Sequence, residues 1–149
     1  MQIERQKFRT AGCCQHTAPD INRVRMFYDL ETRQIHPLQA TGNKFKGELL
    51  QVGRFCFYLE AFKQARMFLR RTFLRRPGWL IIDEIGPLEL AGRGFEPVVG
   101  RIIHWYQTQP RTEKLLLVIR GYLLESVLEN YEIRTWRHFS PSLDCTTIS

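Results

Sequence analysis

The segment Trp79-Leu80-Ile81-Ile82-Asp83-Glu84-Ile85-Gly86 constrains this chain more than any other. It follows Arg76-Pro77-Gly78, a strong turn signal, and stays apolar until it reaches two adjacent carboxylates. A continuous apolar run of this kind predicts a strand buried on both faces, as in a parallel sheet. Core packing gives no reason for Asp followed by Glu where such a strand ends.

Two readings compete. Acidic residues also mark where any apolar strand gives way to a polar loop, so the pattern alone is not specific. The chemical reading is that Asp83 positions Mg²⁺ at the sheet rim while Glu84 orients a water.

At 149 residues, 44% of them hydrophobic and 25% charged, the chain has the composition of one globular domain with a sizeable core. No apolar stretch approaches a membrane span, and the first residues lack the apolar centre of a secretory signal. The net charge of +7 favours acidic partners without choosing among them. Cys13, Cys14, Cys56 and Cys145 form no CxxC pair. Adjacent Cys13 and Cys14 on a strand would point to opposite faces, a poor start for one metal site. Reduced thiols in the cytoplasm are the simplest expectation.

Periodicity supplies the rest of the outline. Residues 2–7 read as the end of a helix, and Phe8 to Gln15 as a strand. Two extended pieces, Arg25 to Leu30 and Gln34 to Leu38, flank Glu31-Thr32-Arg33 and predict a hairpin. Ala40 to Leu50 is expected to be loop, and Val52 to Leu59 extended. Phe62, Ala65, Leu69 and Phe73 share one face of a helix that Pro77 and Gly78 terminate. A second helix carries Phe95, Val98, Val99, Ile102 and Tyr106 on one stripe, with Pro97 tolerated in its first turn. Lys114 to Ile119 is another apolar strand, Tyr122 to Glu129 a short helix, and Tyr131 to Phe139 an edge strand. Helices alternating with buried strands predict an α/β fold with a parallel sheet. The domain spans 1–139, and 140–149 is a C-terminal tail.

The motifs occur in a telling order. Gly12-Cys13-Cys14 comes first, then Arg25 to Thr32, then Val52-Gly53-Arg54-Phe55 with Leu59-Glu60-Ala61-Phe62. Ile82-Asp83-Glu84-Ile85-Gly86-Pro87-Leu88-Glu89-Leu90 follows, with Phe95 behind it. From about Lys7 to about Arg137 the chain resembles the THEP-type P-loop nucleoside-triphosphatases. The resemblance implies a parallel sheet flanked by helices with an antiparallel hairpin, and makes the acidic strand end a Walker B element. It also implies roles. Asp83 would hold Mg²⁺, Glu84 would orient or deprotonate the attacking water, and Gly86 would turn the backbone beneath the phosphates. Arg54 would face the nucleotide, and Arg120 would sense the γ-phosphate. Each of these residues also has an ordinary structural reading as a turn glycine or surface charge.

The chain departs from that family in one respect. Its members begin with a strand and a Gly-rich loop ending in Gly-Lys-Ser/Thr, whose amides and lysine cradle the phosphates. Gly42-Asn43-Lys44-Phe45-Lys46-Gly47 continues with Glu48-Leu49, where lysine and a hydroxyl are required. Aligned by resemblance, Met1 falls inside the family's first helix. The absent strand would belong beside the one carrying Asp83, leaving a gap for water, another segment or another chain.

Three functions follow as expectations. The first is hydrolysis of a nucleoside triphosphate with Mg²⁺, weak or lost without the Walker A loop. The second is a non-catalytic module whose sheet is completed by another protein chain. The third is nucleic-acid binding through Arg66, Arg70, Arg71, Arg75 and Arg76, which a solvated helix face explains more simply.

Overall fold

The computed structural model describes residues 10–17, 25–30, 32–39, 47–52, 55–110 and 112–139. The segments around Arg54, Gly42 to Lys46 and 140–149 lie outside them, as do the expected helix end at 2–7 and the tail.

The main sheet contains β1 (Thr10–Thr17), β2 (Arg25–Asp29), β3 (Ile35–Pro37), β6 (Trp79–Ile85) and β7 (Lys114–Ile119). Their order is β3-β2-β1-β6-β7, so the expected hairpin of β2 and β3 extends the sheet on one side. β1, β6 and β7 run parallel to one another, whereas β1, β2 and β3 alternate in direction. A separate antiparallel pair, β4 (Leu49–Val52) and β5 (Phe55–Tyr58), joins the body through a bridge between Gln39 and Phe57.

The strand carrying Asp83 therefore has no gap beside it. β1 occupies one edge of β6 and β7 the other, which corrects the expected place of the absent strand. β1 fits closely because Gly12 lies against Ile81. Gly12 has φ +147°, and a Cβ there would sit 1.9 Å from the Ile81 carbonyl oxygen. Only glycine permits that approach.

Two helices cover one face. α1 (Leu59–Leu74) buries Phe62, Ala65, Phe68 and Leu69, and α3 (Val98–Thr108) buries Val99, Ile102, Ile103 and Tyr106. These meet Leu80, Ile82 and Ile85 of β6 in one apolar cluster, with Leu115, Leu117 and Ile119 packed at its margin. Phe73 leaves the predicted stripe partly exposed but packs edge-on against Trp105, with ring centroids 5.3 Å apart. Pro97 precedes α3 instead of entering it, consistent with its missing amide.

The termini of these elements explain several motif residues. Asp29 is buried, and its carboxylate accepts bonds from the Thr32 amide (3.1 Å) and hydroxyl (2.5 Å), closing the β2–β3 turn. After α1, Arg76 takes φ +52° and lays its guanidinium 3.8 Å from the Trp105 ring centroid and 4.3 Å from that of Phe73. Arg66 donates to the Gly94 carbonyl at 2.6 Å. Arg66 and Arg76 thus make contacts within the fold, while Arg70 and Arg71 lie exposed on α1.

Two expectations fail here. Leu49 and Leu50 open β4 where loop was expected, because the hairpin is too short to show a period. Tyr131 to Phe139 forms no strand. A 3₁₀ turn (Gly121–Leu123) leads into α4 (Leu124–Asn130), and the chain then caps that helix. Glu132 adopts φ +50°, and the Ile133 amide donates back to the Leu128 carbonyl at 2.8 Å. Such a reversal at a helix end uses the amides that a strand would need.

Candidate functional site at the C-terminal rim of the parallel strands

Parallel α/β sheets place ligands beyond the carboxyl ends of their strands, and β6 and β7 end together. Asp83 lies opposite Val118, and Ile85 opposite Ile119. Glu84 falls at this register shift, an irregularity in the ladder. Strict alternation would throw adjacent side chains to opposite faces; the shift loosens that rule at the acid pair.

Asp83 is half-buried. Burial first, and the neighbouring Glu84 charge second, push its carboxyl above the usual aspartate range. No hydrogen bond or ion pair satisfies it among the described residues. Glu84 is paired with Arg120, the first residue after β7, both side chains being partly exposed. The Arg120 guanidinium is held charged chiefly by a hydrogen bond to Tyr122, with Glu84 adding to it.

Gly86 follows β6 with φ −136° and ψ −166°, an extended conformation open to any residue. Its amide donates 3.0 Å to Glu89 Oε2, and the Phe95 amide donates 3.1 Å to Oε1. Glu89 lies in the short helix α2 (Pro87–Leu90) and is buried, which raises its pKa against the lowering effect of these amides. Gly94, at φ +61°, leaves room for that carboxyl: a Cβ there would approach Oε1 to 2.2 Å. One buried acid therefore ties the loop behind the rim into a closed unit. The sequence showed Glu89 only as a motif letter, because its partners are backbone amides that carry no residue code. Nearby, the Tyr131 hydroxyl bonds Glu96, and burial followed by that contact pushes the phenol well above its ordinary range.

The rim thus brings together three expected residues, Asp83, Glu84 and Arg120, with Gly86 immediately behind. Arg54 lies outside the described residues. Among the described residues no group of three or more His, Cys, Asp or Glu could form a metal cage. A single unsatisfied carboxylate instead fits Mg²⁺, which keeps waters and takes further ligands from phosphate oxygens.

The structure is an α/β domain with a mixed sheet, whose parallel strand β6 carries paired acids at its carboxyl end. The sequence matches the family model described as NTPase over residues 3–133, and the chain belongs to that family. It also resembles the solved structure of THEP1 from the hyperthermophile Aquifex aeolicus. The TM-score is 0.58 at 20% identity, covering 84% of this chain and 69% of that one. At that identity the likeness establishes a shared fold. No curated protein matches the sequence.

Proposed function

We propose that this chain is a Mg²⁺-dependent nucleoside-triphosphatase that converts NTP to NDP and phosphate at the β6–β7 rim. No Gly-Lys-Ser/Thr loop occurs within these 149 residues, so by themselves they are expected to turn over slowly or not at all. The supporting observation is Asp83, a half-buried carboxylate with a raised pKa and no described donor, beside the Glu84–Arg120 pair. Bound there, Mg²⁺ would neutralise charge on the phosphates. Asp83 is the residue to hold it, directly or through water. Glu84 orients the attacking water once Arg120 leaves it for the anionic substrate, since a paired carboxylate is a poor acceptor. Gly86 keeps the backbone close beneath, fixed through Glu89. Arg54 is a further phosphate contact. The setting is the cytoplasm, where such nucleotides abound and Cys56 is a free thiol.

Phosphate release from ATP and GTP by the full chain, with Mg²⁺ and with chelator, tests this reading. Glu84→Gln should abolish turnover while sparing nucleotide binding. Equal turnover in the mutant would remove Glu84 from the mechanism.

A second reading, a non-catalytic module completed by another protein chain, is favoured by one observation: β7 ends the sheet with no described strand on its outer edge. Nucleic acid is a weaker candidate, since Arg66 and Arg76 serve internal contacts.

A further inference from the structure

The turn that leaves the rim carries an aromatic ring that the packing does not use. Arg120 follows β7 directly, and the 3₁₀ turn Gly121–Leu123 then opens into α4. Leu123, Val127 and Tyr131 recur at helical spacing and belong to the core or its margin. Tyr122 falls outside that stripe and is 72% exposed. A lone surface tyrosine needs no explanation by itself.

Three features single this one out. The first is its tether: Arg120 bonds the Tyr122 side chain on one side and pairs with Glu84 on the other. The phenol is thus one guanidinium away from the acids that end β6. The second is room. A Cβ on Gly121 would meet nothing within 4 Å, so the backbone between Arg120 and Tyr122 is open. The third is position. Of the other exposed rings among the described residues, Trp79 begins β6, at the far end of that strand from Asp83. Trp136 and Phe139 come after α4, which carries the chain away from the rim.

A nucleotide is charged at one end and presents a flat π face at the other. Asp83 and Arg120 suit its phosphates, and a base within one nucleotide's reach of them gains from an aromatic surface. We propose that Tyr122 is the platform on which the base of the bound nucleotide stacks, favouring purine over pyrimidine nucleoside triphosphates. The inference rests on the hydrolase reading above. Stacking rewards ring area, and a purine offers two fused rings. A tyrosine face reads no edge pattern, so adenine and guanine are taken alike. Arg120 can turn from Glu84 to a phosphate without releasing Tyr122, because a guanidinium has five N–H donors. One residue then links the ring to the phosphate end of the site.

The test is titration of the full chain with ATP, GTP, UTP and inorganic tripolyphosphate, each with Mg²⁺, followed by amide NMR shifts. ATP and GTP should bind alike, more tightly than UTP, and shift the amides of residues 120–122. Tyr122→Ala should weaken ATP at least about fivefold, the low end of what base–aromatic stacking contributes, and tripolyphosphate less than about twofold. Tyr122→Phe, which keeps the ring and loses the bond to Arg120, should stay within about threefold of the parent for ATP. The proposal is overturned if Tyr122→Ala binds ATP like the parent, or if UTP binds as tightly as ATP. Equal losses of ATP and tripolyphosphate in both variants would also overturn it, making the phenol only a holder of Arg120. Failure of the parent to bind either ATP or tripolyphosphate would overturn the hydrolase reading and this inference together. Purine-selective, Tyr122-dependent binding without turnover would support the platform and count against hydrolysis alone.

Discussion

Replacing Gly94 with alanine probes how the loop behind the acidic rim is held. Gly94 and Gly92 share a left-handed backbone, at φ +61° and +69°, so alanine at either costs about 1–2 kcal/mol in conformation alone. Their surroundings differ. A Cβ at Gly92 meets nothing within 4 Å, whereas one at Gly94 falls 2.2 Å from Glu89 Oε1 and 3.1 Å from Leu88 Cβ. The carboxyl must move, and it cannot do so without giving up the Phe95 amide at 3.1 Å, with the Gly86 amide at 3.0 Å at risk. Leaving one buried amide unpaired adds about 1–3 kcal/mol. Gly94→Ala should therefore destabilise by about 2–5 kcal/mol, a fall in Tm of roughly 4–20 °C for a domain of this size. Urea unfolding followed by circular dichroism, with Gly92→Ala as control, measures the difference. If the two variants lie within about 0.5 kcal/mol of each other, Glu89 does not organise this loop in the way described.

Asp83 makes a pH-dependent prediction. Its folded pKa is raised, so ionisation costs stability: the penalty is absent well below the unfolded pKa, grows as pH climbs through the raised value, and persists above it. Asp83→Asn should thus be the more stable protein at neutral pH in chelator, with the advantage fading in acid, by denaturant midpoints across pH. Mg²⁺ should raise the Tm of the parent more than that of Asp83→Asn; an equal rise would place the cation elsewhere. Arg120→Ala should cost no more than about 1 kcal/mol, since its pair with Glu84 is partly exposed. A larger loss in chemical unfolding would mean the pair is structural. Arg76→Ala should lose about 1 kcal/mol of stacking on Trp105 and Phe73, read as a lower Tm and altered Trp emission.

The elements with a clear period were legible without coordinates. Phe62, Ala65 and Leu69 marked α1, and the apolar runs marked β6 and β7, because each repeats over enough residues to outweigh local noise. Asp83, Glu84 and Arg120 were legible as rim residues since all three sit where an apolar strand ends. Strand order was not legible: nothing local says that β1 rather than an absent strand lies against β6, and Gly12 reveals it only once Ile81 is in place. Tyr131 to Phe139 misled because its residues suit a strand, while the capping of α4 is decided by the left-handed Glu132. Glu89 stayed hidden because its partners, the amides of Gly86 and Phe95, could belong to any residue.

The register shift at Glu84 also leaves β6 with one residue more than its neighbour. Counting from Asp83 opposite Val118 to Ile85 opposite Ile119, β6 spends two steps where β7 spends one. Removing Glu84 would bring the ladders level and leave fully buried Ile85 opposite Ile119, on the core face that strict alternation then assigns it. The spare residue is thus not needed for the packing of the strand: what it adds at the rim is a second carboxylate, the one that meets Arg120.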